Sequence, residues 1–286
     1  MYALTQPYAP PFGNFAPGAL DIRRSYDRYY STGLYNSRYP VPNPHLLSLV
    51  LDEIGPAGGR VLDFGCGNGR YALPLTQRPG MRVFGYDISD EAIRELGRRY
   101  DEMASAGLAA SPLETLSGDL AKLEQRLDGD AEFDIVMLMF GVLGHIPQRA
   151  KRVAVLRSLS QRLAPGGRLI VSVPNRARRF RREQDAARDL INQKVLEPGD
   201  IYYQRTAGAD QIDLYYHLYS PAEFRAELTE GGFAVRELKA ESVLSERMVL
   251  ASPAGAKVDR LLRKVTPVSL AYGMVAVARP SARLTR

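Results

Sequence analysis

One cysteine, Cys66, stands in the whole chain, so no internal disulfide is available and a stapled secreted fold is excluded. Histidine is nearly as scarce: His45, His145 and His217 are scattered, with no second cysteine and no carboxylate cluster at ligand spacing, and no metal site is expected. Long hydrophobic runs are missing too. The longest, "IVMLMFGVLG" at 135–144, is too short to cross a bilayer. The N-terminal "MYALTQPYAPPFGNFAPG" has neither a charged start nor a continuous apolar stretch, so the expectation is a cytoplasmic protein without a secretory signal or transmembrane segment. Acidic charge is slightly short: 32 Asp+Glu face 38 Lys+Arg, a net charge of +6. Residues 1–170 carry 18 and 19 of these, which leaves 14 and 19 for the remainder, so the excess lies late in the chain and hints at an anionic partner there.

What is present alternates between strand and helix. "GRVLDFG" reads as a first strand and "GRYALPLTQR" as a helix after a glycine loop. "MRVFGYD" is a second strand, and "SDEAIRELGRRYDEMASAG" an amphipathic helix capped by Ser89. "SPLETLSGDL" holds a weak third strand. "FDIVMLMFGVL" has the continuous apolar character of a central parallel strand. "QRAKRVAVLRSLSQRLAPGG" is a helix with a Pro-Gly-Gly stop, and "RLIVSVPN" a fifth strand. This pattern predicts an open, mostly parallel sheet with helices on both faces, whose ligands sit beyond the carboxyl ends of the strands. Residues 1–20, rich in Pro, Gly and Ala, are expected to be a flexible arm. Residues 21–55 form an N-terminal segment closing with the helix-like "HLLSLVLDEIG", and 56–286 form the main domain, with an insertion at about 175–219.

The stretch "VLDFGCGNGR" carries the chemistry. Gly65, Gly67 and Gly69 alternate in a loop after the first strand, a pattern that lets something approach the backbone closely. A dinucleotide fingerprint spaces its glycines G-x-G-x-x-G around a pyrophosphate. Here the spacing is G-x-G-x-G, and Asp63 precedes it, an anion that would repel a pyrophosphate and favour a cationic amino-acid end. A nicotinamide-dependent oxidoreductase is thereby disfavoured. Asp87, ending the second strand, can accept both hydroxyls of a ribose. An adenosine with an unphosphorylated cationic tail is S-adenosylmethionine.

With "VLDFGCGNG", "GYDIS", "SGDL", "FDIVMLMFGVLGHI" and "LAPGGRLIVSVPN" in this order, the chain resembles the class I S-adenosylmethionine-dependent methyltransferases. The resemblance implies a single Rossmann-like domain with a seven-stranded sheet. It also implies that Asp63 and the loop of Gly65, Cys66, Gly67 and Gly69 meet the methionine end, and that Asp87 takes the ribose. Ile88 would pack on the adenine, Asp119 and Leu120 would contact its edge, and Phe140 and Gly141 would line the floor. Asp119 has a competing role as cap of the helix "LAKLEQRL", and Cys66 as a small filler in a tight loop. Nothing pairs the thiol with a base, so catalysis by thiolate is not expected.

Methyl transfer from a sulfonium needs alignment above all, and a base only for a hydroxyl or protonated amine. His145, in "GVLGHIP" after the fourth strand, is the first candidate, against a loop histidine bonded to backbone. His217, in "DLYYHLYS", is the second: alternation puts it on one face with Tyr215 and Tyr219, expected to turn towards the acceptor. The segment "SYDRYYSTGLYNSRYPVPNP" is read as a lid. Tyr30, Tyr35 and Tyr39 would stack on donor or acceptor, and Arg38 would bind a carboxylate or phosphate. Beyond the fifth strand, "NRARRFRREQDAARDLINQKVLEPGD" is a basic amphipathic helix open to a phosphate backbone, an anionic membrane face, an acidic small substrate, or solvent alone. "GDIYYQRT" and "QIDLYYHLYS" read as a hairpin over the acceptor pocket. The expected activity is methylation of a small or lipid-like molecule. The alternatives are an RNA methyltransferase, since "LYYHLYSPAEFRAEL" and "YNSRYP" are loosely similar to tRNA wobble-uridine enzymes, and a non-catalytic binding protein of the same fold.

Overall fold

The strand–helix alternation folds, in the computed structural model, into a layered α/β structure; the model describes residues 20–128 and 132–281. The arm expected at 1–20 lies, except for its last residue, outside the described residues. The strands are β1 (Gly59–Phe64), β2 (Met81–Asp87), β3 (Leu113–Ser117), β4 (Phe133–Leu138), β5 (Leu163–Pro174), β6 (Asp200–Ala207), β7 (Asp210–His217), β8 (Phe233–Ser242) and β9 (Gly273–Pro280). Seven of them form one sheet in the order β3-β2-β1-β4-β5-β9-β8, and β6 and β7 form a separate two-stranded sheet. The first five sheet strands run parallel, while β9 is antiparallel to both β5 and β8. The expected mostly parallel seven-stranded sheet is what is found.

Helices α1 (Ile22–Ser31), α2 (Leu34–Arg38), α3 (Pro44–Ile54), α4 (Ala72–Thr76) and α5 (Asp90–Ser105) come from the first third of the chain. They are followed by α6 (Leu120–Arg126), α7 (Arg149–Ser160), α8 (Arg181–Asn192), α9 (Pro221–Glu230), α10 (Glu246–Ala251) and α11 (Pro253–Leu262). The apolar run in β4 is central because both faces are covered. Val136 and Leu138 pack with Leu123, Leu156, Leu159 and Phe224 on one side. Ile135 and Met137 pack with Leu46, Leu49 and Val50 on the other. No helix of the described residues is long and apolar enough to cross a membrane. One boundary differs from expectation: α7 ends at Ser160, and the Pro-Gly-Gly read as its stop lies within β5. There the pairing jumps from Phe133–Leu163 to Ile135–Arg168, an irregularity that takes up the extra residues.

The β6–β7 hairpin is a layer of its own above the carboxyl ends of the sheet strands. Ile201, Tyr203, Ile212, Leu214 and Tyr216 face α1, whereas Tyr202 and Tyr215 face Ala187 on α8. A buried charge cluster joins the hairpin to α7 and α9. Arg152 donates to both oxygens of Glu227, at 3.0 Å from Nε and 2.7 Å from Nη2, and Nη2 also reaches Glu197 at 2.8 Å. Tyr219 donates to Glu227 at 2.9 Å. His217 completes the cluster, Nδ1 to Asp200 at 2.7 Å and Nε2 to Glu223 at 3.0 Å. Burial works against the His217 charge, yet the hydrogen bonds to Asp200 and Glu223 outweigh it and raise its pKa.

Two outcomes follow for stability. Arg152→Met strands a buried carboxylate and should lower the unfolding free energy by about 3–5 kcal/mol in urea titrations. His217 is held charged in the fold, so its contribution is complete below its unfolded pKa of about 6.5 and is lost as pH rises through the raised folded value. The stability gap between the native chain and His217→Asn should therefore shrink on the alkaline side, and a gap that is constant with pH would contradict this charge assignment.

Candidate active site

The glycine bend leaves β1 at Phe64 and turns through left-handed backbone at Gly65 and Gly67, with φ of +78° and +54°. Only glycine fits. A Cβ on Gly65 would strike the Val142 side chain, and one on Gly67 would strike the Tyr30 hydroxyl. What approaches this bare backbone is thus partly the protein itself. Gly65 and Cys66 donate to the Tyr86 carbonyl, at 2.7 and 2.9 Å, and Gly67 donates to Asp87 Oδ2 at 2.8 Å. Cys66 is buried, with its thiol near its neighbour's carbonyl and its pKa pushed well up by burial, as a filler requires.

Two carboxylates end the adjacent strands β1 and β2. Asp63 is 1% exposed, and its Oδ2 has no hydrogen-bond partner. Burial, with the nearby Asp87 charge, pushes its pKa up to about 8 against a backbone bond from Ala72. Asp87 is raised to about 6 by burial, opposed by N–H groups of Ser89 and Gly67. A buried carboxylate oxygen without a donor, at the head of a bend of positive-φ glycines, suits a cationic ligand. A second carboxylate facing an apolar hollow suits a ribose. The residues fit S-adenosylmethionine.

That hollow is a cavity of about 420 Å³ lined by Phe64, Gly65, Asp87, Ile88, Asp119, Leu120, Phe140 and Val142, among others. Asp63, Cys66, Gly67 and Gly69 stand outside its lining, the Tyr30 hydroxyl covering Gly67. The Asp119 carboxylate turns away to cap α6 through the Lys122 N–H at 2.9 Å, the competing role set out above. The N-terminal segment contributes Tyr26, Tyr29, Tyr30, Tyr35 and Tyr39 to the cavity lining. It is tied down at α5, where Asp27 accepts from Ser89 Oγ at 2.6 Å and Glu91 N at 3.2 Å and Arg23 pairs with Asp90, and at the hairpin, where Arg28 pairs with Asp210.

His145 lies in the same cavity, its ring stacked on Tyr216 at 4.2 Å and met edge-on by Tyr26 at 5.3 Å. Its Nδ1 lies 3.0 Å from the Tyr215 carbonyl. A carbonyl only accepts, so the proton sits on Nδ1 and Nε2 keeps its lone pair. Burial lowers the His145 pKa to about 4, which holds the ring neutral. His217 and Tyr215 correct the expectation. They do share a face of β7, but it is the face turned away from the cavity: His217 has no exposure and is saturated by Asp200 and Glu223, and the Tyr215 hydroxyl donates to Asp200 at 2.6 Å. Strand alternation establishes which residues share a face; it does not say which face is covered by what. Tyr203 and Tyr216, from the opposite parity, line the cavity instead.

A second cleft of about 790 Å³ continues outward from the first, sharing Tyr39, Phe140, Arg179, Phe180, Arg205 and Tyr216 with it. Arg38 and Gly141 line this outer cleft only. Phe140 and Phe180, at the junction, both hold left-handed backbone, with φ of +59° and +55°. Non-glycine residues adopt this conformation where the surroundings enforce it, and it costs about 1–3 kcal/mol each. The Arg70 guanidinium lies 4.4 Å from the Phe140 ring centroid and pairs with Glu246. Glu246 opens α10, a helix with no clear signal in the sequence. Glu241, buried in β8, also lines the outer cleft, and burial beside Glu246 raises its pKa to about 8.

The chain is similar to known proteins in both sequence and fold. Residues 35–238 match the family model described as a methyltransferase domain. A ubiquinone biosynthesis O-methyltransferase of Ralstonia nicotianae is 29% identical over 198 residues, covering 65% of this chain and 78% of that protein. A protein of the same name from Xanthomonas axonopodis pv. citri is 27% identical over 201 residues, covering 65% and 77%. Among solved structures, the CcbJ methyltransferase of Streptomyces caelestis shares the fold with a TM-score of 0.65 at 18% identity, covering 92% of this chain and 100% of that one. The matched segment holds both strand-end carboxylates, the glycine bend and His145, and the chain belongs to the methyltransferase domain family, an enzyme whose cofactor is S-adenosylmethionine.

Proposed function

We propose that the protein methylates a hydroxyl group of a small molecule, with the acceptor lying in the outer cleft and its oxygen presented to the inner cavity beside His145. The observation that carries this reading is the His145 imidazole, neutral and with its Nδ1 proton committed to the Tyr215 carbonyl, in the same cavity as Asp87 and Gly65. The relatives named O-methyltransferases support a hydroxyl acceptor. The basic run favours a small molecule over RNA. Arg176, Arg178 and Arg181 donate to the carbonyls of Pro198, Leu270 and Ala177, and Arg179 lies inside the clefts, so the run does not present a row of free cations to a phosphate backbone.

Bound S-adenosylmethionine supplies a methyl group already activated on a cationic sulfur. Asp63 and Asp87 would hold it at its cationic and ribose ends, with Ile88 and Leu120 against the base. The chain's remaining task is alignment and exclusion of water, which can provide roughly 7–11 kcal/mol. Five lid tyrosines and the hairpin ring of Tyr216 form that dry enclosure. His145 Nε2 accepts the hydroxyl's hydrogen bond and takes its proton as the oxygen is methylated. A pKa near 4 is sufficient, because a methylated, still protonated oxygen is a far stronger acid than the imidazolium.

His145→Ala should lower kcat by about 100-fold or more while leaving cofactor affinity within about twofold, read by steady-state kinetics against isothermal titration. An unchanged kcat would remove the proton-accepting role. Cofactor affinity should fall as pH drops through about 6, where Asp87 protonates, and Asp87→Ala should weaken binding by about 2–3 kcal/mol, roughly 30- to 150-fold. Asp63, protonated in the free protein below about pH 8, should release close to one proton when the cation binds at neutral pH. Calorimetry in buffers of different ionisation enthalpy measures that release, and Asp63→Asn should abolish it.

A further inference from the structure

Arg179 is the one member of the basic run 176–182 that reaches the inner cavity, whereas Arg181 and Arg182 line the outer cleft alone. It lines both the inner cavity and the outer cleft. Its guanidinium lies over three aromatic rings, 4.8 Å from the centroid of Tyr272, 5.2 Å from Phe180 and 5.9 Å from Tyr216. Its Nε is shielded from solvent and has no hydrogen-bond partner. Among the described residues no carboxylate stands within ion-pair distance of it, although its neighbours on the run, Arg176 and Arg181, are engaged by Glu223 and a backbone carbonyl. A guanidinium removed from water without a carboxylate is unfavourable, and aromatic faces offset only part of that. Such a group is stable where its counter-ion arrives with a ligand.

A second arginine repeats the pattern. Arg205, on the hairpin, also lines both clefts, lies 4.6 Å from the Tyr203 centroid and has a shielded Nε without a partner, while its Nη1 donates to the Gln204 carbonyl at 3.5 Å. None of the acids of the outer cleft forms an ion pair with Arg179: Glu246 is paired with Arg70, Glu183 stands on α8 without one, and Glu241, buried next to Glu246, acts on Arg179 only through space.

We propose that the acceptor carries a carboxylate or phosphate, and that Arg179, assisted by Arg205, is the anchor that binds this anion at the junction of the two clefts. The aromatic floor of Tyr272, Tyr216 and Phe180 then takes the flat or apolar part of the molecule beside the bound anion. This rests on the outer cleft being the acceptor site, but it is a statement about binding, independent of whether a hydroxyl is methylated.

The test therefore uses no turnover. The full chain, saturated with S-adenosylhomocysteine, is titrated calorimetrically with benzoate, phenyl phosphate and benzamide, three ligands of similar shape that differ in charge. At least one anion should bind tenfold or more tightly than the neutral amide, and the preferred anion distinguishes a carboxylate site from a phosphate site. Arg179→Gln should reduce the advantage to within twofold, and Arg179→Lys should restore part of it. Retained S-adenosylhomocysteine binding reports that each variant is folded. Should Arg179→Gln not fold, Arg205→Gln and added sodium chloride on the native chain must each reduce the anion's advantage. Equal binding of amide and anions, no binding of any of the three, or an anion preference that survives these changes would overturn the proposal. Loss of methyl transfer with retained anion preference would fault the hydroxyl reading alone.

Discussion

The roof over the reaction cavity stands on one buried charge cluster. A β-hairpin of two strands is marginal by itself, and β6–β7 pairs with no strand of the main sheet. What fastens it is Arg152, held by Glu227 and Glu197, together with His217 between Asp200 and Glu223. These groups bind α7, α9 and the hairpin base into one unit. Because the hairpin is held there, Tyr216 stacks on His145 and Tyr203 meets Phe180. The same placement gives the lid its second attachment, Arg28 to Asp210. The polar joint sits on one side of the hairpin and the largely apolar cavity on the other, and strand alternation keeps the two chemistries apart.

The carboxylates divide along similar lines. Among the described residues, buried Asp63 and Asp87 meet backbone N–H groups and no cation, and their pKa values rise to about 8 and about 6. Asp200, Glu223 and Glu227 are also withdrawn from water but meet His217, Arg152 and Tyr219. The second set is already neutralised by the fold, whereas Asp63 Oδ2 has no donor at all. Burial alone therefore does not single out a group here; burial without an ionic partner does. The same contrast separates Arg179 from Arg152.

Much of this was legible beforehand. Asp63, Asp87 and the three glycines stand where their spacing placed them, because β1 and β2 are neighbours and both end at the same sheet edge. The tyrosines of 26–39 line the cavity. The parity of β7 was not legible: both Tyr215 and Tyr216 are apolar enough for either face, and only the packing of α8 against one side decided which looks into the cavity. Glu246 and its short helix left no periodic trace, and Arg179 looked like its neighbours until Arg176, Arg178 and Arg181 met backbone carbonyls and it alone of these four reached the inner cavity.

From the sequence by itself came the order of strands and helices, the acid–glycine bend and the ribose acid, since these depend on local propensity and on a motif read within a few residues. The tertiary structure decided which side of the hairpin faces the cavity, which histidine lines it, and which arginine of the basic run reaches it. Those outcomes depend on contacts between segments far apart in the chain, where the identity of a neighbour, and not the residue's own type, sets whether a charge is satisfied.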